Sequence, residues 1–112
     1  MALREPTVMV LSALAGQVLH GYGLIEEVRA LSGGRVTLSL GTLYGTLDRL
    51  TEDGLVRVER EEVVAGRLRR YYLLTDSGAG VLQAEVERMR QTADAADARL
   101  RTRAARPGLA TA

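Results

Sequence analysis

The sequence contains no cysteine, lysine, tryptophan or phenylalanine, and it has one histidine among its 112 residues. The lack of cysteine excludes disulfides, thiolate nucleophiles and Cys-based zinc sites, and it fits a reducing compartment. A single histidine leaves little for a multi-histidine metal site or a proton relay. No stretch approaches the roughly 20 apolar residues of a membrane span, and Arg4 and Glu5 interrupt the region where a signal peptide is apolar. We therefore expect a cytoplasmic protein that has no cofactor and no membrane partner.

An enzymatic function is disfavoured by the same scarcity of reactive side chains. No nucleophile elbow, phosphate-binding loop or metal-ligand spacing occurs in the sequence, so no catalytic residue is predicted. The length suits one domain. Because the core must be built from Leu, Val and Ala with a few Tyr and Met, packed helices are favoured over a deep aromatic pocket.

The net charge is only +1, but its distribution along the chain is uneven. Residues 1–54 carry four arginines against six carboxylates, whereas residues 55–74 carry five arginines against three glutamates. Arginine supplies a rigid fork of donors that matches phosphate oxygens, so its exclusive use favours an anionic partner. A compositional bias of the genome is the alternative explanation.

Three helices are predicted before Gly54. The first begins at Pro6, and its inward face is predicted to consist of Val8, Leu11, Leu14, Ala15 and Val18. The second follows His20-Gly21-Tyr22-Gly23 and ends at Ser32-Gly33-Gly34, with an inward face of Leu24, Val28 and Leu31. The third is capped by Ser39, and its anchor is predicted to be the stripe of Leu40, Leu43, Leu47 and Leu50.

A β-hairpin is predicted after the third helix. Residues 55–60 alternate apolar and charged side chains, and residues 67–74 provide the partner strand, with residues 61–66 as a long loop. Before the third helix, residues 35–38 are predicted to form a brief strand or an extended turn. Three helices followed by a two-stranded ribbon is the order of the winged helix-turn-helix, whose third helix enters the major groove of DNA.

The outer face of the third helix supports this interpretation. At about 100° per residue, the residues that point away from the leucines are Gly41, Gly45, Asp48, Arg49 and Glu52. A glycine inside a helix costs up to ~1 kcal/mol relative to alanine, so an ordinary surface helix avoids it. The missing side chains would let a groove wall or a phosphate come close. Close packing against another helix is the alternative.

Eight residues are predicted to contact DNA, namely Tyr22, Thr42, Tyr44, Gly45, Arg49, Arg67, Arg69 and Arg70. Tyr44 is expected to reach a phosphate unless its ring is buried against the second helix. Arg49 is expected to bind phosphate unless Asp48 or Glu52 holds it in a surface pair.

Alternation along the second strand leaves the wing ambiguous. Arg69 and Arg70 fall on opposite faces of a regular strand, so both cannot point at DNA. Tyr71 and Tyr72 divide in the same way, and one of them is expected in the core. His20 is interpreted as a polar residue at the mouth of the second helix.

A final helix is predicted after Thr75-Asp76-Ser77-Gly78, a sequence that is typical of an N-cap. A heptad seam runs along this helix and consists of Leu82, Val86, Met89, Ala93, Ala96 and Leu100. The seam either covers the first helix of the same chain or pairs with a second copy, and its length leads us to favour a homodimer. Residues 107–112 are expected to be a disordered tail.

Several motifs together resemble the PadR-type transcriptional regulators. They are Glu5-Pro6-Thr7, His20-Gly21-Tyr22-Gly23, the segment Gly41–Leu50, Gly54-Leu55 and the segment Gly66–Gly78. In order and spacing the resemblance covers residues 5–90. It implies a winged-helix domain, a homodimer held by the C-terminal helix and repression relieved by a small-molecule effector. Many members carry proline where this chain has Gly45, and the short final helix resembles the compact branch of the family.

The sequence thus predicts a mainly α fold with a small β-hairpin. Residues 1–74 are assigned to a winged helix-turn-helix domain, 75–106 to a dimerisation helix and 107–112 to the tail. The predicted function is a homodimeric repressor that binds an inverted repeat in double-stranded DNA, largely through shape and phosphate contacts. The near-neutral charge and the acidic residues of the third helix suggest the alternative, a winged-helix module that binds protein without specific DNA binding.

Overall fold

The computed structural model describes residues 3–106 and Gly108. Its elements follow the chain in the order α1 (Glu5–Gly16), β1 (Leu19–His20), α2 (Gly21–Leu31), α3 (Leu40–Glu52), β2 (Val56–Val64), β3 (Arg67–Leu74) and α4 (Asp76–Ala105). The predicted mainly helical fold with a small hairpin is confirmed. None of the helices in the described ranges is long and apolar enough to cross a membrane. The predicted tail, apart from Gly108, lies outside the described residues.

The chain divides into two compact units, one up to Leu82 and one from Gln83 onward, with the boundary inside α4. The first unit holds a core of aliphatic side chains from its three short helices. Its buried helical residues are Val8, Val10, Leu11, Ala13, Leu14, Leu24, Val28, Leu43, Leu47 and Leu50. The central part of each predicted inward face is therefore confirmed.

The ends of the predicted faces need correction. Leu40, expected as an anchor of α3, is 39% exposed, and Leu31 at the end of α2 is also exposed. Ala15 is exposed and Val18 lies beyond the end of α1, which ends at Gly16. Helical periodicity assigns a side chain to a face, but at a helix end no neighbouring element is long enough to cover it.

The sheet has three antiparallel strands in the order β1-β3-β2. The short strand β1 pairs Leu19 with Tyr72 and His20 with Tyr71. The strand β1 was not predicted, since a two-residue strand is too short to show any alternation. Residues 35–38 form no strand, so the first of the two predicted alternatives is wrong.

We call the hairpin of β2 and β3 the wing. Its predicted loop at residues 61–66 is wrong, because β2 continues to Val64 and only Ala65 and Gly66 form the turn. Both turn residues have positive φ, +51° and +77°, which is the requirement of the type I′ turn that matches the twist of a hairpin. Glu61 and Glu62 lie within β2, where they stand opposite Arg70 and Arg69 of β3 in the strand register.

The beginning of α4 is fixed by Thr75, as the sequence predicted. The Thr75 hydroxyl oxygen accepts a hydrogen bond from the Gly78 amide at 3.0 Å and donates one to the Gly54 carbonyl at 2.6 Å. The same residue therefore caps α4 and ties it to the turn that follows α3.

Gly78 is required by the packing at this junction. A Cβ at this position would overlap the Leu55 carbonyl oxygen and would lie 2.6 Å from Leu74 Cδ1. We expect Gly78→Ala to lower the free energy of unfolding by about 3 kcal/mol, because the backbone must shift to admit the methyl group. Urea denaturation followed by circular dichroism measures the change.

Gly80 offers a matched control two residues further along the same helix. A Cβ on Gly80 would meet nothing within 4 Å. Gly80→Ala is therefore expected to stabilise the protein by up to ~1 kcal/mol through helix propensity alone. Equal effects of the two substitutions would contradict the packing that we describe for Gly78.

Candidate nucleic-acid interface

A cleft of about 340 Å³ lies between the wing, the beginning of α2 and the first turns of α3. Its lining combines cationic, aromatic and aliphatic side chains. They come from His20, Gly21, Tyr22, Leu40, Tyr44, Val64, Ala65, Arg67, Leu68, Arg69 and Arg70. The cleft thus brings together five of the eight residues that the sequence predicted to contact DNA, namely the two tyrosines and the three wing arginines.

The three arginines of β3, which all line the cleft, differ in how they are held. Arg67 is exposed at the start of β3, and neither it nor Arg69 forms an ion pair within the part of the chain that the structure describes. Arg70 is paired with Glu61 across the ladder, Nε to Oε1, at 3.4 Å. Tyr72 is the core tyrosine that alternation required, at 3% exposure. Of the three arginines that line the cleft, Arg67 and Arg69 are therefore the two most available to an external anion.

Tyr44 joins α3 to the beginning of α2. Its hydroxyl lies so close to the Gly21 backbone that a Cβ on Gly21 would come within 2.6 Å of it. The ring nevertheless keeps 42% of its surface exposed, and Tyr22 keeps 59%. The two sequence alternatives for Tyr44 are thus compatible, since one edge packs on α2 while the remainder faces the cleft.

Gly41 and Gly45 lie on the exposed face of α3. A Cβ on either residue would meet nothing within 4 Å. The alternative that these glycines permit close packing against another helix of the first unit is therefore wrong. Their helical positions cost stability without any compensating contact in the described residues of the chain.

Thr42 and Arg49 lie on the other flank of α3 and do not line the cleft. They are seven residues apart and so share one stripe of the helix. The Thr42 hydroxyl accepts a hydrogen bond from Ser39 Oγ at 3.0 Å, at the N-cap. Neither Asp48 nor Glu52 pairs with Arg49 within the described ranges. Arg49 is therefore free of the surface pair that was its alternative role.

The acidic side chains of α3 are concentrated in its C-terminal half. Asp48 and Glu52 line a separate hollow beside the wing, together with Glu61 and Arg70. The N-terminal half of the helix carries the two glycines and no carboxylate. A polyanion is therefore repelled less by the beginning of α3 than by its end.

His20 occupies a position in the cleft wall that the sequence analysis did not assign to the site. Its Nδ1 accepts a hydrogen bond from the Gly23 amide at 3.4 Å and so caps α2. The ring meets the Tyr71 ring edge to face, with 5.4 Å between centroids. Burial lowers the pKa of His20 below its ordinary value of 6.5, and the Arg69 guanidinium lowers it further.

Two aliphatic residues of the cleft, Leu40 and Leu68, were also missed as site residues. Leu40 was assigned to the core because it continues the leucine stripe. Leu68 stands between two arginines in the sequence and is 55% exposed. No signal in the sequence distinguished either residue from an ordinary core leucine.

The heptad seam of α4 is a second candidate surface. Leu82 and Val86 are half-buried, whereas the four later members, Met89, Ala93, Ala96 and Leu100, are exposed. Leu100 alone keeps 62% of its surface exposed. An apolar stripe of this length, left open to solvent, is the arrangement expected of a helix that pairs with another helix.

Comparison with known proteins agrees with this architecture. The profile of the family described as "Transcriptional regulator PadR-like family" matches residues 10–84. The transcriptional regulator Rv3488 of Mycobacterium tuberculosis is 42% identical over 73 residues, which cover 65% of this chain and 64% of that protein. The chain spans less than two thirds of the length of the curated relatives it matches.

Solved structures share the fold at lower identity. A PadR family transcription regulator from Clostridium difficile R20291 superposes with a TM-score of 0.72 and 21% identity, over 87% of this chain and 99% of that one. Bacillus subtilis PadR in complex with operator DNA gives a TM-score of 0.66 and 24% identity, over 74% of this chain and 48% of that one. The chain belongs to the PadR-like family of transcriptional regulators.

Proposed function

We propose that the chain is a homodimeric transcriptional repressor that binds an inverted-repeat operator through α3 and the wing. The observation that carries this proposal is the pair of exposed glycines, Gly41 and Gly45, on the open face of α3. Each costs up to ~1 kcal/mol of helix stability relative to alanine. A partner that must approach the helix backbone closely would explain why glycine occupies these positions. The wall of the major groove is such a partner.

The cleft supplies the phosphate contacts that position α3. Arg67 and Arg69 are free to donate to phosphate oxygens, and the hydroxyls of Tyr22 and Tyr44 are suited to the same oxygens. Arg49 and Thr42 are placed on the opposite flank of α3, where a second strand of the duplex would pass. Phosphates held on both sides would hold the beginning of α3 in the groove.

The N-terminal half of α3 makes the base contacts in this proposal. The carboxylates Asp48 and Glu52 keep the C-terminal half away from the phosphates, so the helix enters with its glycine-bearing end first. With few long side chains on that end, DNA shape and backbone contacts supply most of the binding.

Dimerisation and repression rest on separate support. The open apolar seam of α4 supports a second copy of the chain as the partner, and two recognition helices related by a two-fold axis favour an inverted repeat. The complex of Bacillus subtilis PadR with operator DNA supports DNA as the ligand. Repression, and its relief by a small-molecule effector, are predictions from the family resemblance.

A binding selection tests the proposal directly. Duplexes retained from a random-sequence library, and the region upstream of the chain's own gene, are titrated with protein between about 50 and 200 mM salt. We expect a sequence-preferring complex with two-fold symmetric half-sites and a steep loss of affinity with salt. The absence of any salt-dependent, sequence-preferring complex would favour the protein-binding alternative.

Removal of the two cleft arginines that form no ion pair in the described residues, Arg67 and Arg69, gives a second expected result. In the double variant Arg67→Ala and Arg69→Ala, the negative slope of log K against log salt should become shallower. We expect a change of about 0.9 for each phosphate that is no longer neutralised, since fewer counterions are released. Arg57→Ala is the matched control, because Arg57 is an exposed arginine of the same wing that does not line the cleft. Fluorescence anisotropy measures both slopes, and an unchanged slope in the double variant would remove the wing from the interface.

A further inference from the structure

We infer that the cleft is a proton-linked phosphate site, in which His20 takes up one proton as a DNA phosphate enters. The inference deepens the proposed function and rests on it, since the phosphate is that of bound DNA. Its consequence is that the affinity for DNA rises as the pH falls from neutral towards 6. Residues on three elements of the described fold, His20, Arg69 and Glu62, carry the inference together with the cap at Gly23.

The geometry gives His20 two alternative hydrogen-bonding states. In the neutral ring, Nδ1 accepts the Gly23 amide, so the ring proton is on Nε2. Protonation converts Nδ1 into a donor, and the Gly23 amide then loses its acceptor. The charged ring needs another acceptor for its Nδ1–H at this position, and an anionic phosphate oxygen in the cleft is a stronger acceptor than water.

The charges around His20 come from all the elements packed against it. Arg69 on β3 faces the ring and disfavours its positive charge, whereas Glu62 on β2 and Glu26 on α2 favour it. Tyr71 on β3 presents its ring to the imidazole, and the Tyr71 hydroxyl donates a hydrogen bond to Glu62 at 2.5 Å. In the free protein, burial and Arg69 lower the pKa of His20 and so favour its neutral form.

Two further arginines, Arg67 and Arg70, line the same cleft, as do the hydroxyl-bearing Tyr22 and Tyr44. A phosphate that binds the arginines offsets their charge, and its own negative charge attracts the imidazolium. The proton comes from solvent, and the only covalent change is a new N–H bond on Nδ1. Binding of phosphate and uptake of the proton therefore favour each other, as linked equilibria must.

The single histidine permits a direct measurement. His20 is the sole histidine, so no other side chain has an unperturbed pKa between 5 and 8. The spectrum of the full chain contains a single histidine Cε1–H signal. Its titration by nuclear magnetic resonance, alone and with a saturating duplex of random sequence, gives the pKa of His20 in both states. We expect a value below 6.5 in the free protein and above 6.5 in the complex.

The affinity for the same duplex should follow. We expect the affinity to be at least about threefold higher at pH 6.0 than at pH 7.5. Each unit by which the pKa of His20 differs between the complex and the free protein corresponds to a tenfold change in affinity. His20→Asn is the matched variant, because asparagine is a good N-cap acceptor that does not titrate. Its affinity should not vary over this range of pH.

The stability of the free protein should depend on pH in the opposite direction to its affinity for DNA. The pKa of His20 is lowered on folding, so its contribution to stability is complete above about 6.5 and is lost as the pH falls through the folded value. Stability should therefore decrease on acidification while DNA affinity increases, and His20→Asn should lack both changes.

Two results would overturn the inference: a DNA affinity that is constant or falls between pH 7.5 and 6.0, or a pKa of His20 that does not rise in the complex. Failure of the proposed function is distinguishable, because the wild-type protein would then bind no duplex at pH 7.5 in low salt.

Discussion

Ala93→Glu is expected to convert the protein to monomers and to weaken its binding to an inverted-repeat operator on the order of a hundredfold. Ala93 lies in the middle of the α4 seam and is exposed in the isolated chain. In a two-fold dimer, the substitution places two carboxylates near each other in an apolar interface, where neither has a cation to pair with. A monomer contacts one half-site and loses the contribution of the second.

Ala98→Glu is the matched control for this prediction. It introduces the same side chain into the same helix, but Ala98 lies nearly opposite the seam at about 100° per residue and is also exposed. We expect it to leave both the dimer and the affinity unchanged. Light scattering after size-exclusion chromatography gives the mass, and anisotropy with a two-half-site duplex gives the affinity. A dimer that survives Ala93→Glu would show that the seam is not the interface.

A comparison of half-site duplexes separates dimer loss from misfolding. Ala93→Glu should bind a single half-site about as well as one protomer of the wild type does, because α3 and the wing are untouched. Equal weakening on one and two half-sites would indicate a damaged DNA-binding unit and contradict the prediction.

The fold was largely predictable because the leucines of α3 repeat at helical spacing and the caps use the expected residue types. Ser39 and Thr75 both accept the backbone hydrogen bonds that their positions suggested. Periodicity was least informative at element ends and in short elements. The exposure of Leu40 and the existence of β1 depend on which neighbouring segments are present in space, and a local pattern does not contain that information.

The membership of the cleft was predictable only in part, because Thr42, Gly45 and Arg49 do not line it, and His20, Leu40 and Leu68, which do, were not predicted. Tyr22, Tyr44, Arg67, Arg69 and Arg70 do line one cleft, although they come from three separate segments of the chain. The place of His20 in the cleft wall follows from the pairing of β1 with β3 and from the cap on α2. Both are tertiary features, and the prediction of a sheet with only two strands did not include them.

The double substitution Gly41→Ala and Gly45→Ala is expected to stabilise the protein and to weaken DNA binding at the same time. Alanine gains up to ~1 kcal/mol of helix propensity at each position, and the space around both Cβ positions is open. In the complex, the two methyl groups would occupy the gap between helix backbone and groove wall. Overpacking of this kind costs about 1–3 kcal/mol, which corresponds to a loss of affinity between roughly fivefold and 150-fold.

Opposite signs distinguish a functional glycine from a structural one. Gly78→Ala is expected to destabilise the fold, and Gly80→Ala to stabilise it with no change in DNA affinity, because Gly80 lies outside the proposed interface. Thermal unfolding and anisotropy on the three variants and the wild type give both quantities. If the α3 double variant gains stability and binds DNA as tightly as the wild type, the groove does not approach the helix backbone at Gly41 and Gly45. The long side chains of Arg49 and the wing would then have to supply recognition without a close approach of α3.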